Sequence, residues 1–211
     1  MLGTRGGSPR VGAHAAGPGW TFGLRWTLAT AAGLAAGVAA MFAGVGAATG
    51  RAGPLVFGAV LGGVLGLCCG VAQGLVLRRR LAGTTRWAAA TAAGWVLFWA
   101  PNMAGWFGRG SGVAGKMAEG LGHGALFGVV LGGAQWLVLR GRVPGAARWV
   151  ATSVVGWAVA AAAGDGLKAA VGGGGPIDIA AGVVIATGVT AAGMARLLRS
   201  TGTPPPPPAR R

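Results

Sequence analysis

Apolar residues fall into six stretches, separated by short segments that hold nearly all of the charge. They run over roughly Trp26–Ala48, Leu55–Leu77, Trp87–Phe107, Leu121–Leu139, Trp149–Gly164 and Ile179–Ala195. A helix of about 20 predominantly apolar residues crosses a hydrocarbon layer roughly 30 Å thick, so the pattern predicts six transmembrane helices. The last two stretches are short and are flanked by Asp165 and Asp178. Pro101 falls near the far end of the third, where a kink is tolerable because neighbouring helices re-satisfy the freed backbone groups.

The stretches repeat in pairs. Ala72-Gln73-Gly74-Leu75-Val76-Leu77-Arg78, followed by Gly83, Arg86-Trp87 and Gly94-Trp95, returns as Ala134-Gln135-Trp136-Leu137-Val138-Leu139-Arg140, Gly145, Arg148-Trp149 and Gly156-Trp157. The two copies keep one constant offset. A weaker copy aligns Arg25-Trp26, Thr30 and Gly33 with Arg86-Trp87, Thr91 and Gly94, and Leu198-Arg199 stands where Leu77-Arg78 does, with the glutamine lost. The expected fold is an all-α membrane protein: a bundle of six transmembrane helices built from three helical-hairpin repeats, about 25–80, 86–142 and 148–199. Residues 1–19 read as a disordered basic segment, 20–200 as the membrane domain, and 201–211 as a Pro-rich tail.

Composition agrees with a bilayer setting. The 211 residues are 53% hydrophobic and 10% charged, with only 3 acidic residues, too few for the charged surface of a soluble domain of this size. The net charge of +15 would suit nucleic acid, but the arginines sit at the ends of apolar stretches and not on a shared face, so no nucleic-acid partner is expected. Arg5, Arg10 and Arg25 precede the first stretch; Arg78, Arg79, Arg80 and Arg86 lie between the second and third. Arg140, Arg142 and Arg148 lie between the fourth and fifth, and Arg196, Arg199, Arg210 and Arg211 at the C-terminal end. These fourteen of 18 basic residues share one side; Arg51, Arg109, Lys116 and Lys168 fall on the other with Glu119, Asp165 and Asp178. The positive-inside rule then places both ends of the chain in the cytoplasm and the protein in the cell membrane. A signal peptide is the competing reading of the first stretch; its Arg-Trp start, shared with the third and fifth, favours a retained helix.

Gly58, Gly62, Gly66, Gly70 and Gly74 occupy every fourth position of the second stretch, and Gly120, Gly124, Gly128 and Gly132 repeat the spacing in the fourth. Such a row lies along one helical face and lets two backbones approach closely, so these glycines are expected to pack helices within the bundle or between copies. Trp26, Trp87 and Trp149 each follow an arginine and are expected at the headgroup boundary. Trp95, Trp99 and Trp157 lie deeper and read as packing residues. Adjacent Cys68 and Cys69 have no other cysteine to pair with and read as small, reduced side chains.

Few residues offer chemistry. Gln73 and Gln135 hold equivalent intramembrane places and can either bond across the bundle or contact a substrate. Glu119 and His123 share a helix face with Lys116 before them; with Asn102, Asp165, Lys168 and Asp178 they form a candidate polar cluster at the outer ends, for which ordinary solvated helix ends are the simpler account. No protease, P-loop or zinc motif is present, and His14 and His123 stand too far apart to propose a metal site. The chain is accordingly read as non-enzymatic, without catalytic, cofactor-binding or metal residues.

On the residues Ala134-Gln135-Trp136-Leu137-Val138-Leu139-Arg140, the Arg-Trp starts and the Gly-Trp pairs, the chain resembles small bacterial multi-pass membrane proteins with repeated Gln-Trp-Leu-x-Leu-Arg hairpin units, from about Arg25 to Arg199. It departs at Gly74, where the motif has Trp, and in the last unit, which lacks Gln. The resemblance implies the fold and no activity. Two functional readings stand: a structural or accessory membrane component, and a small transporter or the membrane subunit of a transport complex.

Overall fold

The computed structural model describes residues 19–45, 52–105, 111–173 and 176–200. The expected disordered segment before Gly19, the Pro-rich tail, and Arg51, Trp106, Phe107 and Arg109 lie outside them. Among the described residues the protein is all-helical. We number the helices α1 (Trp20–Ala40, continuing as a π turn over Met41–Val45), α2 (Pro54–Leu77), α3 (Thr84–Met103), α4 (Gly112–Leu139), α5 (Arg148–Ala170) and α6 (Pro176–Ser200).

Five of the six are long and apolar enough to cross a membrane. The exception is α3. It has the length, 20 residues, but Arg86, three tryptophans, Pro101 and Asn102 lower its hydropathy. The other departures from the sequence reading concern helix ends. α4 begins at Gly112 and not Leu121, while α5 runs to Ala170 and α6 starts at Pro176. Asp165 and Asp178 therefore belong to helices and do not flank them. Pro176 supplies the fixed φ suited to a first helical position, and Asp178 lies in the first turn, where a helix dipole favours negative charge.

Each helix packs against the next in sequence, and α6 returns to α1, closing a ring. The closest seams are α2 on α3 and α4 on α5, and glycine explains why. A Cβ on Gly62 would meet the Trp95 carbonyl at 2.6 Å, on Gly66 the Ala92 Cα at 2.8 Å, and on Gly70 the Ala88 Cα at 2.7 Å. Along α4, a Cβ on Gly120 would come within 2.6 Å of the Ala161 carbonyl and one on Gly132 within 2.8 Å of Ser153 Cβ. At Gly58 and Gly124 it would overlap the carbonyl oxygens of Trp99 and Trp157. α3 follows α2 from Thr84, beside Gly74, to Met103, beside Gly58. α1 meets α2 at Gly33, α3 meets α4 at Gly94, and α5 meets α6 at Gly156. The α6–α1 seam is looser: the nearest atom to a Cβ on Gly23 is Ala191 Cβ at 4.0 Å.

Large apolar side chains point outward around the ring, among them Leu28, Leu67, Leu75, Leu97, Leu121, Leu137, Val155 and Ile179. An apolar surface of this extent is unfavourable in water and favourable in lipid. The interior holds two clusters. One gathers Trp26, Trp87 and Trp149 with Leu77, Leu139, Met194 and Leu198 at the arginine-bearing end. The other joins Leu65, Cys69, Trp95, Phe98, Phe127 and Leu131 toward the opposite end.

Candidate functional site

At the arginine-bearing end, Trp26, Trp87 and Trp149 do not occupy the headgroup positions expected of them. All three are at most 2% exposed. Their rings meet as a triangle, with centroids 6.1, 6.1 and 5.9 Å apart. An indole N–H buried away from headgroups needs an acceptor, and the bundle supplies one in each case. Trp87 Nε1 donates to Gln73 Oε1 at 3.1 Å and Trp149 Nε1 to Gln135 Oε1 at 2.9 Å. Each amide then donates from Nε2 to a threonine hydroxyl, Gln73 to Thr30 at 3.1 Å and Gln135 to Thr91 at 2.9 Å. Those hydroxyls donate in turn to the carbonyls of Trp26 and Trp87, both at 2.9 Å.

The third corner is built differently. Met194 stands four residues before the buried Leu198, as Gln73 does before Leu77 and Gln135 before Leu139, and it is fully buried. With a thioether there, Trp26 Nε1 turns to Thr190 Oγ1 at 3.2 Å. Ser153, which follows Trp149 as Thr30 follows Trp26 and Thr91 follows Trp87, has a buried hydroxyl with no hydrogen-bond partner among the described residues. The sequence flagged the two glutamines but not their Thr partners. The signal was there, a threonine or serine four residues after each Arg-Trp tryptophan.

At the opposite end, α3, α4 and α5 border an open-mouthed cavity of about 350 Å³. Its walls are mainly aromatic: Trp95, Phe98 and Trp99 from α3, Phe127 from α4 and Trp157 from α5. Phe127 packs edge-on to Trp157 and Trp95, centroids 4.6 and 5.1 Å away. The rings thus brace one another and also border open space. Sequence reading took these tryptophans for packing residues. Their backbones lie on the glycine faces, with the Trp95 Cβ and Cγ against Gly66, and their side chains also border the cavity, which spacing alone does not show.

Glu119, His123, Asn102 and Asp165 supply the polar part of the cavity lining. Four of the sequence-predicted polar residues thus meet here, from three helices. Lys116 Nζ pairs with Glu119 Oε2 at 2.7 Å, and His123 Nδ1 lies 3.8 Å from Glu119 Oε1. Asp165 is half-buried, with its Oδ2 2.8 Å from where a Gly120 Cβ would be; a side chain at Gly120 would push it away. Among the described residues Asp165 has no ion-pair or hydrogen-bond partner. A second hollow, about 390 Å³, shares Glu119 and Asp165 and is otherwise bordered by Lys116, Lys168, Ala169, Gly172 and Gly173. Lys168 therefore joins the cluster at its rim. Asp178 borders neither hollow.

No set of three His, Cys, Asp or Glu side chains among the described residues is grouped to hold a metal ion. No protein-family model matches the chain, and no curated protein or solved structure shows significant similarity to it.

Proposed function

We propose that the chain is a six-span integral protein of the cytoplasmic membrane, built from three helical hairpins, whose primary role is that of a non-enzymatic structural or accessory component. Five apolar helices and an outward apolar surface support the membrane setting. The sixth span is α3, which lies along the glycine face of α2 over nearly its whole length. The Trp–Gln–Thr bonds, made alike at Gln73 and Gln135, support the reading as repeated hairpins, as does the resemblance to bacterial proteins with Gln-Trp-Leu-x-Leu-Arg units. On this reading both ends of the described bundle face the cytoplasm.

The observation that carries the structural role is the use of both intramembrane amides. Gln73 and Gln135 are buried and each bonds through both its nitrogen and its oxygen to the bundle itself, which supports a part in holding the helices together. Replacing both with Leu strands two indole N–H groups, and folded protein recovered from the membrane in mild detergent should fall sharply. Full recovery with wild-type melting would contradict the proposal. The transport reading is favoured by a separate observation, the aromatic cavity with carboxylates at its edge. A stoichiometric ATPase co-purifying with the protein in gentle detergent would favour it; a monomer or homo-oligomer alone would favour the structural role.

A further inference from the structure

We propose that the cavity between α3, α4 and α5 binds a small organic cation with a substituted ammonium head. This goes beyond the architectural role and holds whether or not the protein moves its ligand across the membrane. The chain carries +15 net charge and only 3 acidic residues, yet two of the three, Glu119 and Asp165, border this one cavity. Glu119 is ion-paired with Lys116, whereas Asp165 makes no ion pair or hydrogen bond among the described residues and feels Lys168 and Lys116 only from a distance. Neither lysine lines the aromatic chamber; both border only the outer hollow. The chamber therefore presents a carboxylate outside any ion pair beside five aromatic side chains, with the lysines on its outer side.

That combination selects a chemistry. Ring faces attract a cation through their quadrupole, most strongly where water is excluded, and tryptophan does so best. Trp95, Trp99 and Trp157 supply three indoles. An alkylated ammonium sheds its water readily and offers methyl groups to the rings. A hydrated metal ion needs several converging ligands in place of its water, and among the described residues no three His, Cys, Asp or Glu side chains are grouped to supply them. A carboxylate ligand would face Asp165. A neutral apolar ligand would fill the chamber but bring no charge to Asp165. The volume, about 350 Å³, sits at the lower end of small-molecule sites, which run from roughly 300 to 1,000 Å³. The outer hollow, sharing Glu119 and Asp165, gives the chamber a mouth.

The test titrates the full-length protein in mild detergent with choline chloride, and separately with choline's uncharged tert-butyl analogue, by calorimetry with tryptophan emission as a second readout. Choline should bind saturably, and the analogue more weakly by on the order of tenfold or more, since it keeps the shape and loses the charge. Asp165→Asn should weaken choline binding by a similar factor, while Lys168→Ala, at the rim, should leave it unchanged or tighten it. Equal binding of choline and its analogue, or binding of neither, would overturn the proposal. So would an Asp165→Asn protein that melts like wild type and binds choline as well. The wild-type pair decides the matter even if the variant misfolds.

Discussion

At the scale of single residues, the molecule is governed by what each buried polar group finds. A buried indole N–H left without an acceptor costs about 1–3 kcal/mol, and the bundle avoids that cost at Trp26, Trp87 and Trp149 with partners from three other helices. The third corner has Met194 where the other two have glutamine, and the Ser153 hydroxyl, like the Trp99 indole N–H, is buried without a partner among the described residues, which makes a sharp comparison possible. Gln135→Met should destabilise by about 1–2 kcal/mol, within the range for interhelical bonds in membranes and stranded donors. Met194→Gln, close in size, gives the third corner the amide that the other two carry, within the cluster that holds Trp26, and should melt at or above wild type in detergent. Opposite signs for these two variants are expected; destabilisation by both would show that packing, and not hydrogen bonding, sets the fit there. The sequence showed the glutamines because they recur in matched surroundings. It misplaced the tryptophans because Arg-Trp at the edge of an apolar stretch reads equally as a headgroup anchor or an inward ring, and only the partner on another helix decides.

At the scale of elements, glycine sets which helices can touch. The spacing of four along α2 and α4 was legible as a close-approach face, but its target was not: the faces meet α3 and α5, the helices that follow in sequence. α6 carries Val183, Thr187 and Ala191 along much of its length, and its seam with α1 is correspondingly loose. Gly124 and Gly122 give a matched pair for testing this. A methyl at Gly124 overlaps the Trp157 carbonyl, whereas nothing lies within 4 Å of one at Gly122. Gly124→Ala should lower the melting temperature clearly, with a loss of about 1–3 kcal/mol as for other overpacked sites. Gly122→Ala should be neutral or slightly stabilising, since alanine is the better helix former. Equal effects would remove close packing as the reason for the glycine face. Gly83 acts differently. It caps α3 at φ +83°, and Arg142 Nη1, which donates to the Ala82 carbonyl at 2.7 Å, lies 2.9 Å from where its Cβ would be. A side chain there is disfavoured by both conformation and contact.

At the scale of the whole molecule, six helices close a ring with tightly bonded tryptophans at one end and an aromatic, acidic cavity at the other. The number of helices and the clustering of arginines could be read from hydropathy and charge. The cavity could not, because its rings and carboxylates come from three successive helices whose mutual packing the sequence pattern does not fix. The element on which the account turns is α3, too polar to stand among the five apolar helices yet packed between two of them. If α3 crosses, the turn before it and the segment after it lie on opposite faces of the membrane. With Cys68 and Cys69 replaced by Ala, single cysteines at Arg79 and at Ser111, both exposed, can be labelled in intact cells by a membrane-impermeant maleimide. The account predicts that Ser111→Cys labels in intact cells and Arg79→Cys only after permeabilisation; both labelling from the same side would contradict it.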